Sequence, residues 1–277
     1  MVARNRFTQI ATRIVFAQTS GVDLGLKDKN VIVTGGSRGI GRATALMLAG
    51  EGASVAVIAR GEADLHEVVA SVEAQGGKAC AITADLAVES DVARAWKLAE
   101  QTIGPCDVRI NNAGGSLGSG TFDTVDAAKW AAVMDLNLTS AVNMSRLAVD
   151  SMKARGGGAI VHVGSICGRE YCTSAPYLAA KAALGALTKE MAIDLAKFGI
   201  RVACVAPGSI MFPGGSWERR KQEKPDVIER MLESELPWGR FGTPEEVAQV
   251  AVFLASPRAS WVTGSTVVVD GAQGRAF

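Results

Sequence analysis

The β-branched run Val31-Ile32-Val33 leads into Thr34-Gly35-Gly36-Ser37-Arg38-Gly39-Ile40-Gly41, and a helical pattern follows from about Ile40 to Ala49. A strand that passes into a helix through a glycine-rich turn leaves few folds open. Glycine tolerates the positive φ that such a turn needs. Without a Cβ, the backbone can approach a phosphate closely, and the free N–H groups at the start of the helix can hold it. At the head of a series of βα units, this turn is a dinucleotide cradle. Its spacing is Gly-x3-Gly-x-Gly, which differs from the general GxGxxG fingerprint.

The rest of the chain keeps the same rhythm. Short strands are expected at 54–59, 79–83, 108–110, 159–163, 201–205 and 266–269, besides 31–33. Helical stretches are expected at 62–75, 90–102, 126–155 and 175–198, several of them closed by glycine. Strands alternating with helices imply an α/β fold: a doubly wound, seven-stranded parallel sheet with helices on both faces. Residues 26–277 read as one Rossmann-type domain. The segment 209–237 breaks the rhythm and lies beyond a strand's carboxyl end, where open α/β sheets bind ligands. We read it as a helical lid over the substrate; the plainer reading is a solvated surface helix pair.

Bulk properties exclude several classes. The chain has 277 residues, 48% of them hydrophobic, and a formal net charge of +1. That balance gives no electrostatic case for nucleic acid or an anionic membrane. No apolar run approaches the ~20 residues that span a bilayer. Cys80, Cys106, Cys167, Cys172 and Cys204 show no CxxC or metal spacing, so no metal is expected, and reduced thiols in the cytoplasm are the plain reading. Cys167 and Cys172 are either small packing residues or substrate contacts. Residues 1–25 form an extension with little order expected. Its first 22 residues carry Arg4, Arg6 and Arg13 and no acid, a pattern shared by organellar transit peptides and by a ragged bacterial start.

The second strand ends Val57-Ile58-Ala59-Arg60, without the carboxylate that commonly holds the ribose in NAD enzymes. Arg60 and Arg38 suit a 2′-phosphate instead, through charge-assisted bidentate bonds. NADP(H) is therefore expected ahead of NAD(H). Glu62 and Asp64 are assigned to the next helix.

Tyr177 and Lys181 stand four residues apart, so both project from one helix face, about 6 Å apart along the axis. A neighbouring ammonium is expected to lower the phenol pKa from its usual ~10. Such a phenol is a general acid for ketone reduction and a general base for alcohol oxidation. Ser165, twelve residues before Tyr177 and just past a strand, is placed to donate to a carbonyl oxygen.

Taken together, these residues resemble the short-chain dehydrogenase/reductase family in its compact single-domain branch, over about residues 26–272. Within it, the chain is similar to the 3-oxoacyl-thioester reductases and related ketone reductases. The resemblance implies that Thr34 to Gly41 (with Gly35, Ser37, Arg38, Gly39, Ile40 and Gly41) form the cofactor turn. It gives Asp85 and Leu86 the adenine. Asn112, Ala113 and Gly114, after Asn111, border the cofactor. Asn137 would kink a helix and hold a water in a proton relay, completing a set with Ser165, Tyr177 and Lys181. Lys181 would also bond the nicotinamide ribose. Pro207 and Gly208 would turn beside the nicotinamide, with Ile210 meeting its carboxamide. Homotetramers, or dimers, are implied as well.

Three departures stand out. Phe212 occupies a position where the family often has a carboxamide-binding threonine. The interval from Ser165 to Tyr177 is one residue short. Arg109 stands in the fourth strand, where an aliphatic residue is usual, and needs a partner if buried. The substrate is expected to be a neutral or partly hydrophobic ketone, facing Ser116, Leu117, Ile166, Cys167, Tyr171, Ile210, Met211, Phe212 and Trp217. A phosphopantetheine carrier would need the basic surface of Arg219, Arg220, Lys221 and Lys224, which Glu218 and Glu223 interrupt. Two other readings stay open: an NAD-dependent alcohol dehydrogenase of the same family, and a non-catalytic dinucleotide-binding protein.

Overall fold

A computed structural model of the chain describes residues 22–172 and 174–276. Residues 1–21 of the extension, the part that resembles a transit peptide, lie outside them.

Seven parallel strands form one sheet in the order β3-β2-β1-β4-β5-β6-β7. They are β1 Asn30–Thr34, β2 Ser54–Ala59, β3 Lys78–Thr83, β4 Val108–Asn111, β5 Gly158–Val163, β6 Ile200–Pro207 and β7 Thr266–Val269. The inner strands are buried on both faces, which is why they read as unbroken runs of Val, Ile and Ala. Strand order reverses between β1 and β4, whose registers pair Val31 with Val108 and Val33 with Ile110. That reversal opens a crevice at the carboxyl ends of these two strands.

The helices cover both faces. On one, α1 (Gly39–Gly50), α2 (Glu62–Glu73) and a later helix, Pro244–Ala255, pack over a core that includes Val33, Leu48, Val55, Val161 and Val252. On the other, α3 (Glu89–Ile103), α5 (Ser140–Arg155) and α6 (Ala175–Leu195) pack over Ile32, Ile58, Trp96, Met144 and Ile160. The stretch expected as one helix over 126–155 begins as α4 (Ala127–Met134), capped by Asp126 accepting from the Lys129 N–H at 2.6 Å. It passes through a single π turn, Asp135–Thr139, into α5. The expected 175–198 helix ends at Leu195, and a tight 3₁₀ turn, Ala196–Phe198, completes it.

Residues 209–237 contain two helices, α7 (Ser216–Glu223) and α8 (Pro225–Ser234). They carry a small core of their own, in which Ile228, Met231, Leu236 and Phe241 are buried and Trp217 packs on Phe241 with ring centroids 5.4 Å apart. Backbone bonds close the base of this excursion: Met211 N–H to Gly242 O at 3.0 Å and Gly242 N–H to Ser209 O at 3.0 Å. The final helix, α9 (Pro244–Ala255), was not anticipated. Its signal was present in Thr243-Pro244-Glu245-Glu246, which forms a capping box with Pro in the first turn.

Arg109 is fully buried, at 0% exposure. Among the described residues no carboxylate is bonded to it. Nε donates to Asn111 Oδ1 (2.9 Å), Nη1 to Ile32 O (3.0 Å) and Nη2 to Thr34 Oγ1 (3.0 Å). The guanidinium therefore ties β4 to β1 just below the crevice, and burial lowers its pKa to about 9.

Candidate active site

The crevice at the β1/β4 reversal encloses about 630 Å³, within the usual range for a small-molecule site. At its floor, the turn after β1 is shaped by close packing. Gly35 has φ 62° and Gly39 φ 54°. A Cβ on Gly41 would collide with Gly35 O and the Asn112 side chain. Asn112 Nδ2 donates to Thr34 O (3.0 Å) and Gly35 O (2.9 Å), so the turn after β4 holds the turn after β1. Thr34 Oγ1 joins the same knot, accepting from Asn112 N–H (3.2 Å) and Ala113 N–H (3.3 Å).

The start of α1 is open. Arg38, at its N-cap, is extended and makes no side-chain cap, and the first turn holds no acid. Uncapped N–H groups beside a cation fit a diphosphate. Ser37, Arg38, Ile40, Arg60, Asp85 and Leu86 line this end, and Asn112, Ala113, Gly114, Pro207, Gly208 and Ile210 continue the wall. Gly39 and Gly41 do not line it. Gly41 is packed beneath the turn, and the Phe212 ring lies against Gly39, where an added Cβ would meet it at 2.8 Å. Several lining residues fall outside the sequence-derived set, Asp64 and Leu136 among them. Asp64, in the first turn of α2, faces the same end as Arg60, and Leu136 comes from the π turn.

At the far end, Ser165, Tyr177 and Lys181 converge on the crevice. Ser165 follows β5, and its Oγ accepts from Cys167 N–H at 3.1 Å. Tyr177 and Lys181 share a face of α6, with Nζ 5.5 Å from the ring centroid. Nζ donates to Val163 O at 2.8 Å, and burial draws the lysine pKa down to about 8. The expected lowering of the phenol pKa is corrected here. Burial raises it, the nearby Cys167 thiol adds to the rise, and Ser165 only partly offsets them. The ammonium donates to a backbone carbonyl, and the half-buried ring lies in the wall of the crevice.

Asn137 stands behind the wall, on the π turn, which frees it from the regular ladder. Nδ2 donates to Gly115 O (2.9 Å) and Val133 O (2.8 Å), and Oδ1 accepts from Gly115 N–H (2.9 Å). A Cβ on Gly114 would meet Lys181 Nζ at 3.2 Å, so Asn137, Gly114 and Lys181 form one packed group. Of the residues expected at the substrate, Ser116, Leu117, Ile210, Phe212 and Trp217 line the crevice. Ile166, Cys167 and Met211 do not, and Tyr171 points outward at 82% exposure. Met211 packs instead in the small core beneath α7 and α8.

Comparison with known proteins places the chain among relatives of known class. A family model described as enoyl-(acyl carrier protein) reductase matches residues 35–272. The chain is 38% identical to 2-(S)-hydroxypropyl-CoM dehydrogenase 3 of Xanthobacter autotrophicus over 248 residues, covering 89% of this chain and 96% of that one. A 7α-hydroxysteroid dehydrogenase, solved with NADH and 7-oxo glycochenodeoxycholic acid, superposes with a TM-score of 0.83 at 33% identity, covering 90% of this chain and 96% of its own. L-Sorbose reductase from Gluconobacter frateurii, solved with NADPH and L-sorbose, gives 0.86 at 33% identity, covering 92% and 100%.

Proposed function

The chain belongs to the short-chain dehydrogenase/reductase family and is a nicotinamide-dependent oxidoreductase of alcohol and carbonyl groups; from that premise we propose that it uses NADP(H) to reduce a neutral, largely apolar ketone to a secondary alcohol, with Tyr177 as general acid. One observation carries this reading. A single crevice holds Ser165, Tyr177 and Lys181 at one end and Arg38, Arg60 and the open start of α1 at the other.

When bound, the dinucleotide supplies hydride transfer. The chain's residues do the rest. The uncapped N–H groups of α1 would hold the diphosphate. Arg60, just past β2, and Arg38 would grip the 2′-phosphate. Asp85 and Leu86 would border the adenine, and Pro207, Gly208 and Ile210 the nicotinamide. Ser165 donates to the carbonyl oxygen and fixes its place next to the phenol. Tyr177, held protonated at neutral pH by its burial, gives its proton to that oxygen. Lys181 and Asn137 form the route by which the proton is replaced. Leu117, Phe212 and Trp217 make the wall an apolar ketone would face, with α7 and α8 as the lid above it. A 3-oxoacyl thioester is the acyl-chain version of the same substrate class. A homotetramer in the cytoplasm is part of this reading, supported by the family resemblance and by free cysteines among the described residues; no helix among those residues is long and apolar enough to cross a membrane.

A second reading, NAD use in alcohol oxidation, is favoured by one feature. Asp64 shares the adenosine end with Arg60 and stands where ribose hydroxyls would find a carboxylate. Calorimetric titration with NADPH and NADH decides between them. NADPH is expected to bind at least tenfold more tightly, and Arg60→Ala to erase that margin; equal or tighter NADH binding refutes the NADP(H) assignment. A Tyr177→Phe enzyme should bind cofactor normally and lose about 10²–10⁴-fold in turnover on a ketone panel. Near-normal turnover would return the chain to a different mechanism, and no turnover by the unmodified protein would favour a non-catalytic binder.

A further inference from the structure

The segment that follows β7 folds back and ties together two walls of the crevice. Asp270 makes the turn: its Oδ1 accepts from Ala272 N–H (2.9 Å), its Oδ2 from Gly274 N–H (2.7 Å), and its carbonyl from Gln273 N–H (3.2 Å). Ala272 is held at φ 61°, a left-handed conformation that a residue with a Cβ adopts only under constraint. The turn delivers the half-buried Gln273 to Ser209. Gln273 Oε1 accepts from Ser209 N–H at 2.8 Å, and Nε2 donates to Ser209 Oγ at 3.0 Å. One amide thus grips both the backbone and the hydroxyl of a single residue, which fixes orientation as well as distance.

Ser209 follows Pro207 and Gly208 and precedes Ile210, all three of which line the crevice. Gly208 N–H donates to Val269 O (3.0 Å), and an added Cβ there would meet Asp270 Cβ and Gln273 Oε1 at 2.7 Å. The fold-back is therefore packed directly on this turn. Its far end is fastened to the opposite wall. Arg275 N–H and Ala276 N–H both donate to Glu170 Oε1, at 2.8 and 3.0 Å, and together they hold that carboxyl below the ordinary glutamate range. A Cβ on Gly274 would collide with the same carboxylate. Glu170 lies in the loop between Ser165 and Tyr177, and its own N–H donates to Ile166 O, one residue past Ser165, at 3.1 Å. Neither Gln273 nor Glu170 lines the crevice, so any effect on the reaction passes through the residues they hold.

We propose that Gln273 and Glu170 are positioning residues, whose C-terminal clasp sets the Pro207–Ile210 wall against the Ser165 wall and so fixes the gap that the hydride must cross. The inference rests on the reading above that Pro207, Gly208 and Ile210 border the nicotinamide. Both walls are loops, and reacting atoms must be brought to ~3–3.5 Å, where an error of ~1 Å can cost ~10²-fold. Arg38, Arg60 and the start of α1 line the other end of the crevice, so anchoring of the cofactor there should survive a loosened clasp.

The test compares the full chain with three variants. Gln273→Met keeps the length of the side chain without its bonds, Glu170→Ala removes the carboxylate, and Glu170→Gln keeps an acceptor for the two N–H groups. Hydrogen-exchange mass spectrometry with and without NADPH reads the clasp independently of any ketone. In the parent, NADPH should protect residues 35–41 and 207–210. Gln273→Met and Glu170→Ala should melt cooperatively and keep the protection at 35–41, but lose it at 207–210. On a ketone panel their kcat should fall ~10-fold or more with KM little changed, the isotope effect with C4-deuterated NADPH should rise, and Glu170→Gln should restore all of these. Protection at 207–210 that persists in both cut variants overturns the clasp. Lost protection with unchanged kcat and isotope effect overturns the positioning role, and loss at 35–41 as well reduces the fold-back to a general support of the fold. Absence of protection at 207–210 in the parent refutes the placement of the nicotinamide, and the inference with it. If the parent protects both segments but reduces no ketone, the reductase reading fails by itself, and the exchange data still decide whether the clasp holds the wall.

Discussion

Replacing Arg109 by lysine, nominally the mild change, should cost more than replacing it by methionine. The guanidinium serves three acceptors on two strands, and lysine can reach one of them while keeping a buried charge that no carboxylate balances. Of the acceptors left behind, Thr34 Oγ1 still receives Asn112 N–H and Ala113 N–H. Ile32 O keeps its place in the β1–β4 ladder; Asn111 Oδ1 has no such reserve. A buried acceptor stripped of its donor costs ~1–3 kcal/mol, so the stranding of Asn111 Oδ1, with the ammonium still to be desolvated, puts Arg109→Lys at ~2–5 kcal/mol. For a chain of this size 1 kcal/mol moves Tm by ~2–4 °C, giving a fall of ~4–20 °C. Methionine strands the same oxygen but removes the charge, and a buried ion replaced by an apolar side chain of similar length often recovers ~1–4 kcal/mol. Its Tm should therefore lie above that of the lysine variant. Differential scanning calorimetry at pH 7 reads both, and NADPH titration reports whether the Thr34 turn has shifted. A lysine variant within ~1 °C of the parent, or one more stable than the methionine variant, would refute the account of Arg109 as a buried three-way tie.

Acid should weaken the fold through His162, which is fully buried and whose pKa is drawn to about 3 by desolvation, with Arg109 and Lys181 adding to the fall. Between about pH 3 and 6.5 the unfolded chain binds the proton that the folded chain refuses, so this contribution is whole above pH 6.5 and shrinks as pH falls. Urea melts should show stability dropping by about 1.4 kcal/mol per pH unit across that window, and a His162→Gln variant, compared with the parent, should lack that part of the slope. Gly41→Ala should abolish measurable cofactor binding, or at least weaken it ~100-fold, because its Cβ has no room against Gly35 O and Asn112; unchanged NADPH affinity by calorimetry would contradict the packing described for the turn.

Much of this molecule was legible in the order of its residues, because the signals are local. β-branched runs buried on both faces must be inner strands, a glycine turn between strand and helix must present N–H groups, and a four-residue interval puts Tyr177 and Lys181 on one helix face. The sheet and most of its helices followed from such patterns. The helix at Pro244–Ala255 was missed although its capping box was written in the sequence. Asp64 was set aside because a residue that begins a helix carries no sign of which way that helix faces.

Other features could be decided only by tertiary structure, because they depend on groups far apart in the chain. Arg109 is unexplained in the sequence and explained by Ile32 and Thr34, more than seventy residues earlier. The phenol of Tyr177 gains a raised pKa from burial and from the nearby Cys167 thiol, while the Lys181 ammonium turns to Val163 O. Tyr171 faces outward, and the Phe212 ring settles on Gly39, a contact across 173 residues that no spacing rule anticipates. Sequence fixes what each segment can become, through steric preference and periodic burial. Which distant dipoles, rings and charges share a low-dielectric interior, and so which protons are held or released there, is settled only when the segments pack.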